Sequence, residues 1–202
     1  MFGVPEFEPN FFTDADTLLK VHGATLLNWV NQAIEEYWII WDLKGNVWYQ
    51  DGPVIFRIGN RNYEFVSQKL DEFSFTVDTI DLSKKLDWYG MGDELPLVWK
   101  KNSLEEINCY IGEPILEVNL LTYNSAGTAL KFIAHRTYIE IEKPSETSNM
   151  LHGIEFVFPD KDLFNKASYL NIFNGIDQIR MTTEYIDLEG SIKKIKTTRT
   201  DK

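Results

Sequence analysis

Three histidines, one cysteine and a surplus of carboxylates are the residues of this chain best equipped for chemistry. A zinc site needs three or four ligands, usually at helical or short-loop spacings. His22, His135 and His152 are spread too widely for that, and Cys109 has no second thiol to join it. Cys109 sits between Asn108 and Tyr110; Lys100 and Lys101 are weak grounds for a lowered thiol pKa, so it reads as a small apolar filler. No Gly-x-Ser-x-Gly elbow lifts a serine above a strand. No glycine loop leads into a helix to cradle phosphate, and Gly90-Met91-Gly92 lacks the helix that should follow it. Asp78 with Asp81, at a strand end, or Asp42 with Asp51, around a turn, could supply the charged and neutral acids of a glycoside hydrolase. With 31 acidic residues such pairs arise readily by chance. The expectation is no catalytic residue, no metal site and no cofactor, with a carboxylate-pair hydrolase as an alternative.

Aromatic side chains are more informative. Trp29, Trp38, Trp41, Trp48, Trp88 and Trp99 all lie in the first half of the chain. Core packing is the default use of so much apolar area, yet several of these rings neighbour carboxylates and turns. Trp88-Tyr89-Gly90-Met91-Gly92-Asp93-Glu94 is a glycine-flexible stretch with aromatic and acidic residues together, as an exposed contact loop would have. Trp88 and Tyr89 are expected to give contact area, while Asp93, Glu94, Asp71 and Glu72 steer a basic partner by charge.

The charge supports that choice of partner. Formal net charge is −11, although residues 190–202 carry Lys193, Lys194, Lys196, Arg199 and Lys202 against Asp201 alone. The remainder is thus more acidic than the total and repels phosphate backbones, which disfavours nucleic acid. No apolar run approaches the ~18 residues that would span a bilayer. The first residues, Met1 to Pro9, lack the basic and apolar regions of a signal peptide, so a cytoplasmic location is expected. Oligomeric state is not legible. In general style (small, acidic, rich in tryptophan and without catalytic residues) the chain is similar to bacterial immunity proteins, although no motif carries the likeness.

The elements that must position these residues are mainly strands. At 44% hydrophobic, the chain has ample apolar surface for a core. Phe73, Phe75 and Val77 alternate with polar residues, as do Leu116, Val118 and Leu120, then Ile139 and Ile141, then Ile154, Phe156 and Phe158. Tyr37 to Trp41 is apolar on both faces and reads as a central strand. Turns fall at 44–46, 59–62, 124–127 and 174–175. Ile179–Ile186 and Ser191–Thr198 read as a terminal hairpin, the second strand a lysine-guarded edge. A short helix over Ala15 to His22, capped by Thr13 and closed by Gly23, and one turn at Leu104–Ile107 capped by Asn102 or Ser103, complete the elements.

Three pairs of segments suggest a faint internal duplication: Val21–Leu27 with Tyr110–Leu116, Asp51–Ile58 with His152–Phe158, and Ile80-Asp81 with Ile176-Asp177. The expected fold is therefore mainly β with minor helix, an antiparallel sandwich or barrel over residues 1–202. It forms one compact domain with sub-units 1–100 and 101–202 joined near residues 95–110. The function expected is a non-catalytic acidic domain, an inhibitor or immunity-type protein that docks on a basic protein. A β domain with an aromatic-lined pocket for a sugar or small molecule is the other alternative.

Overall fold

The structure, a computed structural model, describes residues 3–68, 72–125, 132–138, 150–159, 168–175 and 178–183. It is mainly β, with two antiparallel sheets. The first contains β1 (Phe11–Phe12), β2 (Ile34–Asp42), β3 (Val47–Trp48), β4 (Val54–Ile58), β5 (Arg61–Gln68), β6 (Glu72–Val77) and β7 (Leu97–Lys101). The second contains β8 (Glu117–Ser125), β9 (Phe132–Tyr138), β10 (Met150–Phe158), β11 (Ser168–Asn174) and β12 (Ile179–Thr182).

β2 is the spine of the first sheet, and its side chains are apolar on both faces as its sequence requires. Tyr37 and Ile39 point to one buried cluster, Trp38 and Ile40 to another. Its two flanks bond differently. Tyr37 C=O accepts from Asn102 N and Leu43 N donates to Pro96 O on the β7 side, whereas Ile40 C=O accepts from Tyr49 N. In antiparallel pairing such alternation sends odd and even residues to opposite neighbours, so β2 lies between β7 and the β3–β4 run.

The inner faces of the two sheets enclose the larger core. Val54, Phe56, Phe65 and Phe75 come from the first sheet, and Val118, Leu120, Ile154, Phe156 and Ile172 from the second. Trp29 seals it, stacked on Phe156 at 5.5 Å and edge-on to Tyr63 at 4.8 Å. Phe56 meets Phe156 at 5.7 Å. This is a sandwich in which two sheets meet face to face.

Both sheets contain the same four-strand meander, β6-β5-β4-β2 in one and β12-β11-β10-β8 in the other. Trp38, Ile55, Glu64 and Thr76 form one row across the first sheet and Asn119, Glu155, Asn171 and Thr182 one across the second, but the registers shift at different points, between Ile34 and Glu36 of β2 and between Leu151 and Gly153 of β10. Of the three segment pairs read as repeats, Asp51–Ile58 and His152–Phe158 fall on equivalent strands, β4 and β10. Val21–Leu27 is helical while Tyr110–Leu116 is not, and Ile176-Asp177 lies outside the described residues.

The helices differ from expectation. α1 spans Ala15–Asn28 and continues through Gly23, because Ala15, Leu18 and Leu26 form one core-facing stripe. Asp14, not Thr13, is its N-cap and accepts from Thr17 N at 2.7 Å. α2 (Glu105–Asn108) has Leu104 at its N-cap and no side-chain cap, since Asn102 Oδ1 instead accepts from Tyr37 N at 2.9 Å. Leu116 precedes β8 and is exposed. Ile139, Ile141, the end of the terminal hairpin and its Ser191–Thr198 strand lie outside the described residues.

Candidate functional site

The outer face of the first sheet carries Ile40, Ile55, Val66 and Leu97, with Trp38, Tyr49 and Trp99 packed beside them. Such an apolar face cannot be left in water, and two segments cover it. Val4 and Phe7 come from the N-terminal stretch; Ile80, Leu86 and Trp88 come from the connection between β6 and β7. The second segment, residues 78–96, carries most of the residues expected to bind.

Its root is built from carboxylates. Asp78 adopts φ +56° and turns the chain; its Oδ1 accepts from Asn62 N and its Oδ2 from Arg61 Nε, each at 2.7 Å. Glu64, fully buried on β5, receives Thr76 Oγ1 at 2.8 Å and Thr79 N at 2.9 Å. Burial pushes the Glu64 carboxyl above its ordinary range, against these hydrogen bonds. Farther on, Asp81 binds Ser83, whose hydroxyl and amide hold that carboxyl below its usual pKa. Asp78 and Asp81 therefore each hold a turn. Lys84 pairs with Glu6, and Asp87 N donates to Gly3 O at 3.0 Å, tying the two covering segments together.

Trp88 is where the expected contact loop divides. Its ring is only 7% exposed and meets Tyr49 edge-on at 4.9 Å. Gly3, at φ +62°, passes so close that a Cβ there would lie 2.5 Å from Trp88 Cα. Trp88 thus packs into the face rather than offering its ring to a partner. Tyr89 does the reverse. It takes φ +52° and ψ +32°, left-handed values uncommon for a bulky residue, and is 72% exposed. Gly90 and Gly92 also have positive φ, a conformation glycine tolerates without a Cβ penalty.

Around Tyr89 the surface is acidic and partly apolar. Met91 is 42% exposed, and Asp87, Asp93 and Glu94 are exposed. Among the described residues no ion pair involves these three carboxylates; Asp87 Oδ1 accepts only a long bond from Gly92 N at 3.3 Å. The nearby Tyr49 hydroxyl is shifted by burial and by other groups. Burial first, then the charge and hydrogen bond of Asp51, then Tyr89 and Asp42, push it up to about 12.

The other expected residues lie apart from this cluster. Glu72 is half-buried at the β5–β6 hairpin, opposite Gln68, and Asp71 lies outside the described residues. His22 sits on α1 against Phe12 and Phe75, while His152 lies in β10 beside Phe173. Burial lowers both imidazoles, His152 to about 4. Cys109 is exposed and points its thiol at Glu106 O. Among the described residues no group of three or more His, Cys, Asp and Glu side chains could hold a metal ion, and no helix is long and apolar enough to cross a membrane.

Asp87 and Glu64 were not legible as parts of the site. Asp87 precedes the aromatic pair without any pattern to mark it, and Glu64 alternates with apolar neighbours as a solvent-facing strand residue would. Only the cover over the outer face reveals what they do. No family model, curated protein or solved structure matches this chain.

Proposed function

We propose that this chain is a non-catalytic binding protein that docks on a basic protein through the surface around Tyr89. One observation carries the reading: an aromatic ring, 72% exposed, stands on a buried tryptophan among Asp87, Asp93 and Glu94. An exposed tyrosine gives contact area at small entropic cost, and its π face suits a lysine or arginine head group. The carboxylates, with no cation among the described residues to neutralise them, raise the encounter rate with a positive surface. An inhibitor acts this way when the surface it covers is the one its partner works with.

Capture of basic proteins on the immobilised full chain at low and moderate salt tests the proposal. A specific complex should form at low salt, weaken as salt rises, and be lost with Tyr89→Ala or with Asp93→Lys and Glu94→Lys together. Undiminished capture by both variants would overturn it.

A further inference from the structure

Glu64 is a costly residue to place where it is. Its neighbours on the same face, Ile55 and Val66, are apolar and buried, and an apolar side chain at position 64 would fit that face without desolvating a charge. The carboxylate is fully buried nonetheless. Its two oxygens have room for about four hydrogen bonds, and four donors reach them. Oε1 accepts the backbone N–H of Thr79 at 2.9 Å and of Ile80 at 3.3 Å; Oε2 accepts Thr76 Oγ1 at 2.8 Å and Thr79 Oγ1 at 3.3 Å. Thr76 stands directly opposite on β6. The other three donors belong to the first two residues after the Asp78 turn, where the chain leaves the sheet to cover its outer face.

We infer that Glu64 is a latch: it grips the backbone at Thr79 and Ile80 and so positions the covering segment that carries Tyr89. Ile80, 6% exposed, is the first side chain that segment buries, and Leu86 and Trp88 follow. At the far end Leu43 N bonds Pro96 O before β7 begins. Between the ends, the Glu6–Lys84 pair has an exposed acid and so holds weakly, and the next firm hold is the Asp87 N–Gly3 O bond with buried Leu86 and Trp88. Release at Glu64 therefore frees Ile80 first and shifts the platform under Tyr89. That the positioned surface is the binding surface rests on the function proposed above; the latch does not.

Hydrogen exchange on the full chain, with no partner present, tests it. In the wild type the Thr79 and Ile80 amides should be protected while Leu82 and Lys85 exchange freely. Glu64→Leu should speed exchange of the protected Thr79, Ile80 and Asp87 amides at least tenfold and leave β2, β4 and β10 protected. Glu64→Gln should stay near wild type, since its amide oxygen accepts both backbone donors and its NH2 group donates to hydroxyls that can turn. Fast exchange at Thr79 and Ile80 in the wild type would overturn the latch even if Glu64→Leu fails to fold. So would equal acceleration everywhere in Glu64→Leu, unchanged exchange at Thr79, Ile80 and Asp87, or Glu64→Gln behaving like Glu64→Leu. Failure of partner capture with these exchange results intact would remove only the proposed function.

Discussion

Replacing Trp88 by alanine removes a ring wedged between Gly3 and Tyr49. A buried aromatic deleted in this way costs about 3–5 kcal/mol, so Trp88→Ala should lower the urea midpoint clearly. Tyr89 should respond in the opposite sense. Its left-handed backbone costs a non-glycine residue about 1–2 kcal/mol, against which its 72%-exposed side chain has one edge-on contact, with Trp88 at 5.6 Å. Tyr89→Gly should therefore be at least as stable as the parent while losing affinity for a basic partner. Lower stability in Tyr89→Gly would show that the contact with Trp88 outweighs the backbone cost. The adjacent aromatics of the sequence gave no hint of this division, because alternation cannot be followed through a turn where Tyr89, Gly90 and Gly92 all have positive φ. Ionisable residues at this scale set a pH dependence. His152 is neutral in the fold with a pKa of about 4, while the unfolded chain takes up that proton near 6.5. Stability is full above pH 6.5 and falls as pH drops towards 4, by at most about 3 kcal/mol, and the lowered pKa of His22 acts in the same direction. Glu64 opposes them, since its raised pKa gives stability on protonation that is lost as pH rises through the folded value. Urea midpoints at pH 7.5 and 4.5 should thus show a shallower acid loss in His152→Gln and a steeper one in Glu64→Gln.

Among the elements, strands with a clear period of two were legible and the exceptions have definite causes. β6 and β10 show their alternation because one face of each meets the apolar interior of the sandwich. α1 was cut short in reading because glycine usually ends helices, yet the stripe from Ala15 to Leu26 outweighs the entropic cost of one glycine. Gly23 has no steric reason to lack a side chain: a Cβ there would meet only Leu19, at 3.9 Å. Gly23→Ala should accordingly stabilise the protein by about 0.5–1 kcal/mol, measurable as a higher midpoint. Gly153 is the contrasting case. It stands where the β8–β10 register shifts, and a Cβ would come within 2.2 Å of Ile172 O and 2.7 Å of Phe173 Cα. These are backbone atoms that cannot swing aside, so Gly153→Ala must push β10 from β11 and should destabilise by more than Gly23→Ala gains. Equal effects at the two glycines would mean that close strand approach is not what fixes Gly153. The cover over the outer face was the least legible element. Its buried residues, Ile80, Leu86 and Trp88, follow no regular period, because the segment crosses the sheet as turns and two short 3-10 stretches.

At the scale of the molecule, the two sheets meet face to face with the larger core between them. Across the core β6 meets β10 and β11 and β5 meets β11 and β12, whereas among the described residues β4 makes no comparable contact with β12, so the packing of the two sheets is not reciprocal. Phe56 of β4 and Phe156 of β10 touch within this core, their ring centroids 5.7 Å apart. The likeness of Asp51–Ile58 and His152–Phe158 that is readable in the sequence puts a core-facing phenylalanine on each of these strands, while Ile55 and Glu155 beside them differ in kind. A double-mutant cycle on the two phenylalanines measures this contact directly. Each alanine variant should cost about 3–5 kcal/mol. The double variant should fall short of their sum by about 0.5–1.5 kcal/mol, since the second truncation removes a ring whose partner has already gone. Strict additivity would place the rings in separate packing environments.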